Sequence, residues 1–176
     1  MKTDFKAIKL VVMDVDGVLT DGRIVLGKEE ELKLFDIKDG MGITIARHGG
    51  LKTGIITGRT SEAVRKRAAE LKFDYVIQGN ESKLAALDEI LSNENLGYHN
   101  VAYIGDDIID IPVFRKAGFS ATVPDAPDNV KAEVSYVSQK AGGRGAVREI
   151  VEYILKNKGV LDTTIKRMID GWTGGS

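Results

Sequence analysis

Short apolar stretches alternate with helical periodicity along most of this chain. The pattern predicts strands over residues 8–13, 52–57, 75–78, 101–105, 120–123 and 134–137. It predicts helices over 41–48, 61–71, 82–91, 108–117 and 146–156. Such alternation builds a mainly parallel sheet with crossover helices on both faces, an α/β fold. Leu10-Val11-Val12-Met13 and Gly54-Ile55-Ile56 lack the period-two alternation of a half-exposed strand, so both are expected to be central and covered on two sides. In 61–71 the apolar residues Val64, Ala68 and Leu71 recur at helical spacing, with Thr60 or Ser61 available as a cap and Glu62 in the first turn. Segment 23–37 breaks the rhythm and predicts a β-hairpin: Ile24 and Leu26 lead into the turn-like Gly27-Lys28-Glu29, and Leu32, Leu34, Phe35 and Ile37 return. A lone hairpin is marginal in water. This one therefore needs cover, from its own domain or from another copy, and no later segment looks free to supply it.

Length and composition narrow the class. The 176 residues are 43% hydrophobic and 29% charged, enough for one globular domain with a single core. There is no cysteine, which excludes disulfides and thiolate metal sites and leaves oxygen ligands, or His48 and His99, for any cation. With 25 Lys and Arg against 26 Asp and Glu, no global field favours nucleic acid or an anionic membrane, so an anionic ligand must be captured locally. No apolar run reaches the ~18 residues of a membrane span, and residues 1–9 lack the apolar segment of a signal peptide. A soluble, cytoplasmic protein is expected.

Four features fall just after a predicted strand or at the following helix start: Asp14-Val15-Asp16-Gly17, Thr57-Gly58-Arg59, Lys83, and Gly105-Asp106-Asp107-Ile108-Ile109-Asp110. In an open α/β sheet those positions share one crevice. Asp14, nearest the strand end, suits a carboxylate nucleophile that forms an aspartyl-phosphate. Asp16 suits an acid that protonates a leaving alcohol and then, as a base, activates water. Asp106, with Asp107 or Asp110, would complete an oxygen site for Mg²⁺. Two like charges about 4 Å apart repel by about 4 kcal/mol even at an effective dielectric of about 20. Several aspartates facing a phosphate dianion therefore need that cation and the Lys83 ammonium. Thr57 and the amides of Gly58 and Arg59, ahead of a helix N-terminus, suit phosphoryl oxygens.

These four motifs resemble those of the haloacid dehalogenase superfamily of phosphatases. The resemblance implies a Rossmann-like doubly wound core, Asp14 as nucleophile, Asp16 as general acid and base, and Mg²⁺ held by Asp14, the Asp16 carbonyl and Asp106. It also implies secondary roles for Asp107 and Asp110, orienting waters and Lys83. Longer stretches are similar to the cap-less 3-deoxy-D-manno-octulosonate 8-phosphate phosphatase family: 12–22, Lys38-Asp39-Gly40-Met41-Gly42-Ile43, Thr57-Gly58-Arg59 and 142–149. This similarity runs to about Leu161 and leaves 162–176 as a C-terminal tail. It implies a homotetramer in which hairpin 23–37 meets its symmetry mates, a small-molecule sugar phosphate as substrate, and a gating role for the Gly142-Gly143-Arg144-Gly145 loop and the tail. Thr20, Asp39, Gly40, Gly58, Arg59 and Arg67 are the expected substrate contacts. The competing family acts on nine-carbon sialic-acid-type 9-phosphates, with a glutamate where this chain has Arg59; an arginine fork suits the carboxylate of an octulosonate. Two other classes share the architecture, a phospho-accepting binding module and an inactive oligomerisation module. The second carboxylate, Asp16, favours turnover over the first, and the presence of all the catalytic residue types argues against the second.

Overall fold

A computed structural model of the chain describes residues 3–27, 31–80 and 82–174. Six parallel strands lie in the order β5-β4-β1-β6-β7-β8. They are β1 (Leu10–Met13), β4 (Lys52–Thr57), β5 (Tyr75–Gln78), β6 (Val101–Ile104), β7 (Phe119–Thr122) and β8 (Tyr136–Val137). β1 is central, with Met13 in register with Ile55 on one side and Ile104 on the other. Its four residues are all buried because the pleat sends them alternately into two cores. Val11 and Met13 face one core, and Leu10 and Val12 face the other.

The first core is roofed by α1 (Ile37–His48), α2 (Glu62–Leu71), α6 (Ala146–Lys158) and α7 (Leu161–Trp172). The second lies under α3 (Lys83–Glu94), α4 (Ile111–Phe114) and α5 (Asp128–Lys131). Helices on both faces of a parallel sheet give the doubly wound, Rossmann-like architecture expected. Among the described residues, only the small hairpin of β2 (Val25–Leu26) and β3 (Glu31–Leu32) stands between Asp14 and α1, and no cap domain is inserted there.

The structure departs from the sequence pattern where local caps or burial overrule periodicity. The hairpin pairs Val25 with Leu32 and Leu26 with Glu31, and its predicted turn residues Lys28 and Glu29 lie outside the described residues. Its return strand stops at Leu32 rather than Ile37. The Asp36 carboxylate accepts the Lys38 amide at 2.7 Å and caps α1, which therefore begins at Ile37 and not at Met41. Predicted helix 108–117 divides into a 3₁₀ turn (Ile108–Asp110) and the short α4, because Asp110 turns its carboxylate inward and Pro112 opens the new helix. The segment read as a tail carries α7, whose Thr164 and Met168 are buried against the domain.

Helices α1 and α6 pack closely at Gly42, where an added Cβ would sit 2.6 Å from the Arg148 Cα. Gly42→Ala is therefore expected to destabilise the protein by about 1–3 kcal/mol through overpacking. Gly171→Ala, in open space on α7, should instead stabilise by up to about 1 kcal/mol through helix propensity. Thermal unfolding of the two variants checks the contrast, and equal shifts in Tm would contradict the close packing.

Candidate active site

β1 delivers Asp14 to the carboxyl edge of the sheet, where its amide continues the ladder to the Ile104 carbonyl at 2.9 Å. The chain then winds around Thr20, whose hydroxyl donates to the Val15 carbonyl and accepts the amides of Gly17 and Gly22 at 3.3 and 3.2 Å. Gly17, at φ +88°, has no side chain because a Cβ there would overlap the Asp106 carboxylate. That close approach brings the acids at the ends of β1 and β6 together.

Lys83 opens α3 and is buried, with its ammonium 2.6 Å from Asp14 Oδ2 and 2.7 Å from Asp110 Oδ1. Asp110 is fully buried and accepts four hydrogen bonds. Lys83 Nζ and the Tyr103 hydroxyl reach Oδ1, each at 2.7 Å, while the amides of Asp106 and Asp107 reach Oδ2 at 3.1 and 3.2 Å. Asp14 Oδ1 accepts the Val15 amide at 2.6 Å. Asp106, by contrast, has no cation paired with its carboxylate among the described residues. One oxygen from each of Asp14, Asp106 and Asp110 lies within 4.8 Å of the others.

This crowding shows in the acidities. Burial, then the charges of Asp14 and Asp110, push Asp106 up to about 7, with Lys83 opposing. Burial raises Asp14 to about 6, again opposed by Lys83 and aided by Asp110. Burial works against the Lys83 charge, but its two carboxylate partners outweigh it and raise its pKa. The cluster is short of positive charge. A hard divalent cation between Asp14 and Asp106 would satisfy it, and oxygen donors with no thiolate suit such an ion. Asp110 has its lone pairs committed to protein donors, so it holds Lys83 and the Asp106 backbone in place rather than a metal.

The remaining predicted residues divide into two groups. Thr57 ends β4, buried, with its hydroxyl accepting the Arg59 amide at 3.3 Å, and Gly58 beside it is exposed with open space above. Arg59 places Nε 3.9 Å from Asp16 Oδ2. The others are engaged within the protein. Thr20 organises the loop after β1. Asp39 is buried and accepts the amides of Gly145 and Arg148 at 3.0 and 3.1 Å, capping α6. Gly40 leaves room for the Arg67 guanidinium, which pairs with Glu70 at 2.9 Å. Asp107 is exposed and accepts the Ile108 amide at 2.7 Å, capping its own turn. Thr20 and Asp39 thus satisfy backbone amides at a turn and a helix start, while Arg67 Nε is buried with no hydrogen-bond partner among the described residues.

Two residues of the site escaped the sequence analysis. Lys33 bonds Asp16 Oδ1 and lies 2.9 Å from Glu31 Oε1, while Glu31 Oε2 pairs with Arg59. Their signal was the period-two spacing of Glu31 and Lys33, which puts both on one face of the return strand. The Gly-rich loop also closes on the site, with Gly142 stacked on the Gly17 backbone and the Gly143 amide donating to the Val18 carbonyl at 2.9 Å.

A nucleophile-bearing strand end, a threonine at the next strand, a buried lysine and an acidic loop converge here in the manner of a haloacid dehalogenase-like hydrolase, and residues 76–150 match that family. The chain is 44% identical over 156 residues to the 3-deoxy-D-manno-octulosonate 8-phosphate phosphatase KdsC of Escherichia coli strain K12, spanning 88% of this chain and 83% of that protein. The crystal structure of the Moraxella catarrhalis phosphatase with magnesium, phosphate and KDO superimposes with a TM-score of 0.90 at 41% identity, covering 93% of this chain and 95% of that one. The cobalt-bound Haemophilus influenzae phosphatase gives 0.86 at 36% identity, with 89% and 92% covered. This chain belongs to the 3-deoxy-D-manno-octulosonate 8-phosphate phosphatase family.

The raised acidities have a consequence for stability. Both folded pKa values lie above the ordinary 3.8. The ionised forms are therefore disfavoured in the folded metal-free protein, and stability present below about pH 4 is lost as pH rises through about 6 and 7. Asp106→Asn removes one of the repelling charges. In chelator at pH 8 it is expected to raise Tm, with a smaller gain at pH 4.5; a loss at pH 8 would contradict the electrostatic account.

Proposed function

We propose that this protein is a Mg²⁺-dependent phosphomonoesterase that releases phosphate from 3-deoxy-D-manno-octulosonate 8-phosphate. The observation that carries this reading is Asp14, held by Lys83 at 2.6 Å and facing an Asp106 carboxylate that pairs with no cation among the described residues. Asp14, the Asp16 carbonyl and Asp106 would hold the metal, which when bound offsets their charge and that of the phosphate so that one anion approaches another.

The chain's own groups perform the transfer. An Asp14 carboxylate oxygen attacks phosphorus and the bond to the sugar oxygen breaks, leaving the phosphoryl group on Asp14. Asp16 gives its proton to the departing sugar oxygen. It then takes one from a water that attacks the aspartyl-phosphate, freeing inorganic phosphate and restoring Asp14. Lys83, the Thr57 hydroxyl and the amides of Gly58 and Arg59 receive charge as it spreads over the phosphoryl oxygens. Asp110 keeps Lys83 aimed at Asp14, and Asp107 would orient waters around the bound metal.

Arg59, with its guanidinium half-exposed beside Asp16, suits the carboxylate of a sugar acid. The homotetramer is supported by Leu26 on the hairpin, Leu34 just after it and Ile37 at the start of α1, which are 74–81% exposed and too apolar to be left in water. No helix among the described residues is long and apolar enough to cross a membrane. That agrees with a cytoplasmic enzyme acting on a small molecule.

Phosphate release from a panel of sugar phosphates tests the reading. With Mg²⁺ the octulosonate 8-phosphate should be turned over faster than a nine-carbon 9-phosphate, chelator should abolish both, and Asp14→Asn should lose about a thousandfold or more. Appreciable turnover by Asp14→Asn, or turnover in chelator, would contradict it.

A further inference from the structure

The hairpin does more than expose an apolar face. Leu32 and Leu34 point outward, 48% and 74% exposed, while Glu31 and Lys33 point into the site. The Lys33 side chain is 1% exposed, and a buried ammonium is stable only when paired. Its partners are Asp16 Oδ1 and Glu31. The other Asp16 oxygen, Oδ2, is buried and has no hydrogen-bond partner among the described residues. Arg59 lies 3.9 Å from it, too long for a hydrogen bond, and is itself drawn to Glu31. One oxygen of Asp16 is therefore anchored and the other makes no hydrogen bond among the described residues.

We propose that Lys33 is the positioning residue of Asp16, a hairpin-borne ammonium that fixes one carboxylate oxygen so that the free one meets the oxygen of the scissile ester. This rests on the acid–base role of Asp16 proposed above. A short side chain on a loop otherwise samples several rotamers, and displacing a reacting group by about 1 Å costs about a hundredfold in rate. Lys33 removes that freedom. It also makes chemistry depend on the hairpin being seated, because the residue that orients the acid follows directly on β3 and is not part of the main sheet.

The test uses the full-length protein with Mg²⁺. On 3-deoxy-D-manno-octulosonate 8-phosphate, Lys33→Met should lower kcat about 10- to 100-fold with KM within about threefold of wild type, and Lys33→Arg should recover most of the loss. On p-nitrophenyl phosphate, whose phenolate leaves without a proton, kcat/KM should fall at least about fivefold less than on the sugar phosphate. Should Lys33→Met lower Tm, Lys33→Gln replaces it in the same comparison. A raised KM at unchanged kcat would make Lys33 a substrate contact and overturn the proposal, as would equal losses on both substrates or no loss at all. Asp16→Asn run in parallel separates the two layers. If it turns over the sugar phosphate like wild type, the acid–base reading fails and this proposal with it; if it is inactive while Lys33→Met is unaffected, only the role of Lys33 falls.

Discussion

The buried ammonium of Lys83, shared between Asp14 and Asp110, is the contact around which the active edge of this molecule is arranged. It ties together three separate pieces of chain: the end of β1, the start of α3 and the turn after β6. Removing the ammonium would leave two carboxylates facing each other in a place water does not reach, which is costly. Yet the pair of bonds does not balance the site. Among the described residues Asp106 sits beside them without a paired cation, and its raised pKa records the deficit. A protein selected for stability alone would not keep three acids this close around one lysine; a binder of a divalent ion and a phosphate dianion has reason to.

Bringing the acids so close depends on absent side chains as much as on present ones. Gly17 admits the Asp106 carboxylate, Gly105 admits that of Asp110, and Gly142 lets the loop before α6 rest on the backbone of Gly17. The sheet supplies the rest. Its parallel strands end at one edge, and β1 and β4 each finish there on a buried polar residue, Asp14 just past Met13 and Thr57 within the strand. The core on both faces keeps those ends from shifting.

Much of this was legible in the amino-acid order. The strand ending at Thr57 and the strand Tyr75–Gln78 fall where apolar runs placed them, and Asp14, Lys83, Asp106 and Asp110 converge as their positions after strands implied. Features set by a single local contact were harder to see. The Asp36 cap moved the start of α1 by four residues, and the inward turn of Asp110 shortened the helix after it. α7 had a helical pattern in Leu161, Ile165, Met168 and Trp172 that was set aside as tail. The internal contacts of Asp39 and Arg67 are likewise out of reach of the sequence. Their partners, the amides of α6 and the space beside Gly40, exist only in three dimensions. Lys33 was hidden for the same reason, since its partner Asp16 lies seventeen residues away across the hairpin.

The central claim is that this site carries uncompensated negative charge which a divalent cation relieves, and carboxyl ¹³C NMR titration of aspartate-labelled protein measures it directly. Without metal, Asp14 and Asp106 should give apparent midpoints near 6 and 7, reported as properties of the interacting pair, and saturating Mg²⁺ should keep both ionised well below those values. Midpoints near the ordinary 3.8, unmoved by Mg²⁺, would contradict the account.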